Sequence, residues 1–213
     1  MVPEGRVLVA PADGYVLYVR RIENGVIPYV DKKGVSIPMV DHLKTGADYP
    51  DFNGWLIGIF MGTFDVHINR VPISGSLVRQ TIFNGPHMNM TKAELEIMAT
   101  NLIPGAVTFN KLLGQEPYAI ETKADFILKS ARETLEFRDS RDKRIYVTRI
   151  ADYWVGKILT WIKPGQQLTT GERIGMISWG SQTDLFIENS ESLEILITPG
   201  EHTLAGETVI GRY

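Results

Sequence analysis

Apolar and polar residues alternate with a period of two along much of this chain, and one stretch changes to a helical period. From Arg6 to Arg21, RVLVAPADGYVLYVRR is rich in β-branched and aromatic residues. It is broken at Pro11 and at Asp13-Gly14, which predicts two short strands joined by a turn. NGVIPYVDKKGVSIPMV continues in the same chemistry. GWLIGIFMG, from Gly54 to Gly62, is a short apolar run between glycines and predicts a buried strand rather than a helix. TFDVHINRVPISGSLVRQTIF predicts two strands about a turn at Pro72 to Gly75. The helical period comes in TKAELEIMATNL, where Thr91 and Glu94 make a capping box and Leu95, Met98 and Leu102 share a face. Pro104-Gly105 ends it, AVTFNKLLG adds a further turn or two, and Arg132 to Thr160 returns to strands.

The last third contains an echo. PGQQLTTGERIG (Pro164 to Gly175) and PGEHTLAGETVIG (Pro199 to Gly211) share Pro-Gly, five residues, Gly-Glu, 35 residues apart. Two copies are too few for a solenoid and predict two similar β-turn-β units. With APADGYV, these units resemble the hairpins of lipoyl or biotinyl carrier domains. The Met-Lys pair of a carrier's hairpin tip is missing, which disfavours carrier function. The expected fold is α+β and β-rich, with hairpins resembling lipoyl-like half-barrels and a short helical insert.

At 213 residues the chain suits one domain with a real core. A formal net charge of -3 offers no bulk basic charge to hold nucleic acid. The absence of cysteine excludes disulfides, zinc-thiolate sites and a thiol nucleophile, and is compatible with the cytoplasm. No segment has the roughly 18 consecutive apolar residues of a spanning helix, and MVPEGRVLVAPADG lacks a secretory pattern, so the expectation is a protein that does not span a membrane. His42, His87 and His202 lack metal-ligand spacing, so no metal site is expected and the three read as structural or exposed.

Three stretches carry candidate chemistry: Asp13 in APADG, Asp65 and His67 in MGTFDVHINRVP, and Ser181 in WGSQTD. Each has an ordinary reading: a hairpin turn for Asp13, a satisfied histidine for His67, a Gly-Ser turn for Ser181. Together they supply an acid, an imidazole and a hydroxyl, the set that activates a serine. A conventional serine hydrolase is disfavoured, because WGSQT lacks the second glycine of Gly-x-Ser-x-Gly and lies in β-rich sequence.

In this order, APADGYV, FMGTFDVHINRVPISG and GERIGMISWGSQTDLFI resemble the phosphatidylserine decarboxylase family, close to its shorter branch, as does PGEHTLAGETVIG. The recognisable motifs lie within 7–23, 54–80 and 155–211. The resemblance implies self-cleavage between Gly180 and Ser181 into fragments 1–180 and 181–213, with Ser181 becoming an N-terminal pyruvoyl group. The serine hydroxyl attacks the preceding carbonyl, amide becomes ester, and elimination followed by hydrolysis leaves a ketoacyl group and ammonia. Glycine at 180 leaves that carbonyl unhindered. The pyruvoyl group would take the substrate's amine and serve as electron sink, so neither pyridoxal phosphate nor a metal is called for. Phosphatidylserine is the expected substrate and phosphatidylethanolamine the product. Archaetidylserine, a soluble amino acid, and a non-catalytic lipid-binding or lipoyl-like relative are the alternatives.

The same resemblance makes Asp13 and His67 the candidates for orienting and deprotonating Ser181, with Asp65 and Arg70 in support. Longer members resemble DYHRVHMP here; in DVHINRVP the place of the second histidine is taken by Arg70. In a regular strand Asp65 and His67 would share a face and Arg70 would lie on the other. Near KSARETLEF, Glu133-Thr134-Leu135 departs from the family, 92–128 reads as an insertion, and IADYWVGKI offers only Lys157 for paired arginines. These departures fall where head-group contacts are expected. Leu95, Met98, Leu102, Phe109, Leu112 and Leu113 form an apolar stripe with two readings: a lip in the bilayer surface, or core or homo-oligomer packing. The first implies a peripheral protein at the inner face of the cell membrane.

Overall fold

The computed structural model describes residues 6–28, 37–46, 52–85, 130–151, 158–177, 181–189 and 192–213, with 95, 97, 99–101, 103 and 105–113 between them. The structure is strand-rich, and its main element is an antiparallel eight-stranded sheet curled into a half-barrel. Across that sheet run β11 (Gln167–Leu168), β7 (Gly75–Phe83), β8 (Arg132–Asp139), β9 (Arg144–Ile150), β13 (Ser181–Glu188), β5 (Gly54–Met61), β2 (Gly14–Ile22) and β15 (His202–Thr203). Two three-stranded sheets accompany it. One joins β1 (Val7–Val9), β16 (Val209–Arg212) and β14 (Glu194–Ile195), the other β10 (Ile158–Thr160), β12 (Arg173–Ile177) and β6 (Ile68–Arg70).

The apolar run of β5 is continuous because both its faces are covered. Ile57, Ile59 and Met61 join Leu135, Phe137, Val147 and Leu185 in the inner core. Leu56 and Phe60 join Tyr146, Ile150 and Phe186 in a second, outer core. The short helix α1 (Met39–Leu43) lends Met39 and Leu43 to that outer side. Gly58 makes room there: a Cβ would stand 2.4 Å from the Tyr18 ring, which fills the space.

The echoed units form as expected and hang on two matching hairpins. In one, Gly165 N donates to Leu77 O at 2.7 Å and Gly171 N to Val71 O at 2.8 Å; in the other, Gly200 N donates to Val16 O at 2.7 Å and Gly206 N to Ala10 O at 2.8 Å. All four glycines have positive φ, between 74° and 91°, where a side chain would be strained. The two hairpins clasp each other reciprocally, Val9 N to Pro72 O and Arg70 N to Pro11 O, both at 2.9 Å. Pro11-Ala12-Asp13-Gly14 and Pro72-Ile73-Ser74-Gly75 are therefore equivalent turns of a pseudo-twofold pair.

In the insert, Leu95, Ile97, Ala99, Thr100 and Asn101 are helical, and a second helix spans Ala106–Leu112. Thr91, Glu94, Met98 and Leu102 lie outside the described residues. The shared apolar face is corrected in part, since Ile97 is buried whereas Leu95 is exposed. Phe109, Leu112 and Leu113, at 61%, 80% and 56% exposure, are not core of this chain.

Candidate active site

Ser181 opens β13, which lies between β5 and β9. Its Cα partner on β5 is Met61, and Thr183 is opposite Ile59 on one side and Arg149 on the other. Alternation points Ser181 and Thr183 into the inner core, and Gln182 and Asp184 to the outer face. Ser181 is fully buried and its Oγ has no hydrogen-bond partner among the described residues. A buried hydroxyl without a partner costs roughly 1–3 kcal/mol, so this one makes no structural bond that would account for its burial. Gly180 lies outside the described residues.

His67 carries the second such atom. Its Nδ1 lies 2.8 Å from the Asp65 main-chain carbonyl, and its Nε2 is buried without a partner. A carbonyl only accepts, so in the neutral ring Nδ1 holds the proton and Nε2 presents a free lone pair. That is the form a general base requires. The segments bearing the two orphan atoms are tied together two residues from each: buried Asn69 donates Nδ2–H to Thr183 Oγ1 at 2.9 Å. Beside Thr183 on the inner face, Glu133 accepts from Arg149 Nε at 2.9 Å and from Gln80 Nε2 and Thr160 Oγ1, each at 2.6 Å. Burial lowers the Arg149 pKa, and the charge of Glu133 and its hydrogen bond oppose this. Glu133 is thus an internal ion-pair partner; Thr134 is buried as well, donating to Leu43 O at 2.7 Å.

The remaining predicted residues take other partners. Asp65 is not in a strand, since β6 begins at Ile68; it sits in a turn closed by Asp65 N to Gly62 O and by Gly62 N to Asp65 Oδ2 at 2.8 Å. Its other oxygen accepts from His202 Nε2 at 2.7 Å, so the carboxylate serves His202 and only the carbonyl serves His67. Asp13 Oδ1 accepts from Ala205 N at 2.6 Å. In the equivalent turn, Thr170 N donates to Ser74 Oγ at 2.9 Å, which makes Asp13 the counterpart of a turn-clasping serine. Neither ring nitrogen of His67 is bonded to Asp13. Arg70 donates from Nη1 to Gly171 O at 2.7 Å, bracing the echoed turn.

Sequence reasoning missed a buried polar cluster on the outer face. Asp184 accepts from Tyr18 OH at 2.9 Å and from Gln182 Nε2 at 2.7 Å, and His42 Nε2 lies 2.8 Å away without a hydrogen bond's alignment. Arg132 donates to His42 O at 2.8 Å, and burial depresses its pKa to about 10 against the opposing charges of Asp184 and Tyr18. Sequence reasoning also missed the setting of His202. With Tyr15, Phe60, Phe64 and Asp65 it lines a cavity of about 470 Å³ at the Met61 end of β5.

Known proteins are similar to this chain in sequence. A protein of Methanothermobacter thermautotrophicus, provisionally named an archaetidylserine decarboxylase proenzyme, is 30% identical over 97% of this chain and 72% of its own length. Phosphatidylserine decarboxylase proenzymes of Symbiobacterium thermophilum and Chlorobium phaeobacteroides are 27% and 26% identical, each over 98% of this chain and over 72% and 71% of their own lengths. The family model described as phosphatidylserine decarboxylase matches residues 1–211, and the chain belongs to the phosphatidylserine decarboxylase family.

Proposed function

We propose that this chain is a proenzyme that cuts itself between Gly180 and Ser181 and then decarboxylates phosphatidylserine to phosphatidylethanolamine. The observation that carries the reading is the pair of buried, unpartnered atoms, Ser181 Oγ and His67 Nε2, on segments joined through Asn69 and Thr183. His67 Nε2 takes the hydroxyl proton as Ser181 Oγ bonds to the Gly180 carbonyl carbon, and returns it to Ser181 N as the peptide bond breaks and the ester forms. Loss of the Ser181 Cα proton and departure of the Gly180 carboxylate then free the two fragments and leave dehydroalanine at 181, which water converts to the pyruvoyl group with release of ammonia. Strand β13 belongs to the small fragment, and its hydrogen bonds to β5 and β9 hold it to the large one.

A pyruvoyl group at residue 181 supplies an electron sink for the pair released with carbon dioxide. Around that position the chain itself supplies the inner core, which excludes water, and the ion pair of Glu133 and Arg149. Asp13 contributes by holding the Ala205 turn, and Asp65 and Arg70 by holding the turns beside them. Among the described residues, no helix is long and apolar enough to cross a membrane. Exposed Phe109, Leu112 and Leu113 form the lip through which the protein, working as a peripheral protein at the inner face of the cell membrane, meets the lipid.

Archaetidylserine is the second reading, favoured by the 30% identity to the archaeal relative. Both lipids present the same serine head group, so the reaction is common to them. Intact mass tests the main proposal: the purified protein should divide into fragments of 180 and 33 residues, and Ser181→Ala should remain whole. A wild-type chain that stays whole under all conditions refutes self-cleavage. Comparison of diacyl and archaeal ether phosphatidylserines as substrates separates the two lipid readings.

A further inference from the structure

The cavity at the Met61 end of β5 holds a titratable pair that self-cleavage does not use. We propose that it binds the substrate's primary ammonium and that His202, held by Asp65, removes a proton from it; the assignment rests on the decarboxylase reading above. His202 Nε2 lies 2.7 Å from Asp65 Oδ1. A carboxylate only accepts, so Nε2 holds the proton and, in the neutral ring, Nδ1 is a bare lone pair. The Tyr15 ring packs edge-on against the imidazole at 4.8 Å and 76°, and the second Asp65 oxygen is fixed by Gly62 N, so both members of the pair are oriented. This is the relation of base to orienting carboxylate, assembled from the two future fragments: Asp65 from 1–180, His202 from 181–213.

The charge of the pocket selects the ligand. Asp65 with a neutral His202 carries one negative charge, and Tyr15, Phe60 and Phe64 line the same pocket with aromatic rings. Aromatic walls around a carboxylate favour a compact cation and disfavour phosphate or carboxylate. The substrate's ammonium is that cation. One of its N–H bonds breaks, the electron pair stays on nitrogen, and the proton passes to His202 Nδ1. The resulting imidazolium lies against Asp65, and the amine now has the lone pair it needs to attack a carbonyl.

The pocket borders residue 181 through β5, because Met61 is opposite Ser181 and the next residue, Gly62, lines the pocket. His202 is opposite Tyr15, Tyr15 opposite Phe60, and Phe60 opposite Gln182, a row across four strands ending one residue from Ser181. In the uncut chain the Ser181 side chain points to the inner face, away from the pocket. After cleavage residue 181 is a chain end, no longer tied to residue 180.

The test compares two small amines of similar size. Methylamine arrives protonated at neutral pH and needs a base; methoxyamine arrives unprotonated and needs none. Covalent capture on fragment 181–213, after borohydride for methylamine and phosphatidylserine, is read by mass. In His202→Gln, capture of methylamine and of dispersed phosphatidylserine should fall on the order of a hundredfold while methoxyamine reacts at the wild-type rate. His202→Ala should repeat the pattern. Self-cleavage into two fragments is the check of folding for both. Unchanged methylamine capture, or equal loss for both amines, overturns the assignment of His202 as base. Failure of both variants to mature makes His202 a structural residue and overturns it too. A wild-type protein that captures neither amine instead refutes the decarboxylase reading, and this proposal with it.

Discussion

His67→Asn separates the chemistry of His67 from its place in the fold. Asparagine can keep a side-chain N–H directed at the Asp65 carbonyl, now bonded at 2.8 Å, but it has no basic nitrogen to replace Nε2. At worst the lost bond costs about 0.5–1.5 kcal/mol of stability, because a neutral hydrogen bond contributes that much net. Nε2 has no partner, so its removal leaves no other group unsatisfied. The kinetic loss should be larger. A positioned general base is worth roughly 10²–10⁴ in rate, and a hundredfold corresponds to about 2.7 kcal/mol in the barrier. The variant should therefore melt within a few degrees of wild type, by the size scaling for a domain of this length, yet mature at least a hundredfold more slowly. The assay follows the 180-residue and 33-residue fragments by intact mass after synthesis, with a parallel thermal melt. Maturation of His67→Asn at the wild-type rate would refute the assignment of Nε2 as the base. A large drop in melting temperature with a matching drop in maturation would make His67 a packing residue.

Other outcomes follow from the same structure. Asp13→Ser should mature like wild type, because Ser74 makes the same clasp in the equivalent turn, whereas Asp13→Ala loses the bond to Ala205 N and about 1 kcal/mol of stability; failure of both by a hundredfold would make Asp13 a catalytic acid. Phe109→Ser with Leu112→Ser should leave the melt and self-cleavage unchanged, since both side chains are exposed, while turnover on phosphatidylserine vesicles falls several-fold; unchanged turnover removes the lip. For Glu188, burial pushes the carboxyl pKa up, but the side-chain and main-chain hydrogen bonds and the charge of Arg144 pull it further down, below its ordinary value. A depressed folded-state pKa gives stability that is present above the unfolded value of about 4.3 and is lost as pH falls through the folded one. Glu188→Gln should thus lower the melting temperature at pH 7 and bring it toward wild type in acid; a constant difference across pH would show that the pair has no such role.

Sequence by itself determined most of the scaffold. Alternation and β-branched residues located β2, β7, β8 and β9, and a short apolar run between glycines located β5, because both patterns are local properties of the chain. The repeated Pro-Gly and Gly-Glu frame located the echoed units, because their left-handed glycines leave a mark in sequence wherever a turn needs one. Motif order also singled out Ser181 and His67 as candidates, and the structure leaves Ser181 Oγ and His67 Nε2 buried without a partner among the described residues. Only the tertiary structure decided which side chains meet. Asp65 sits two residues before His67, yet its carboxylate bonds His202, because the chain turns at 62–65 instead of running on as a strand. Asp13 belongs with Ala205 because the pseudo-twofold axis makes it equivalent to Ser74, a relation spread over four segments far apart in the chain. Ile97 is buried and Leu95 is not, although both are apolar. Burial depends on what packs against a face, and periodicity records the face without its partner.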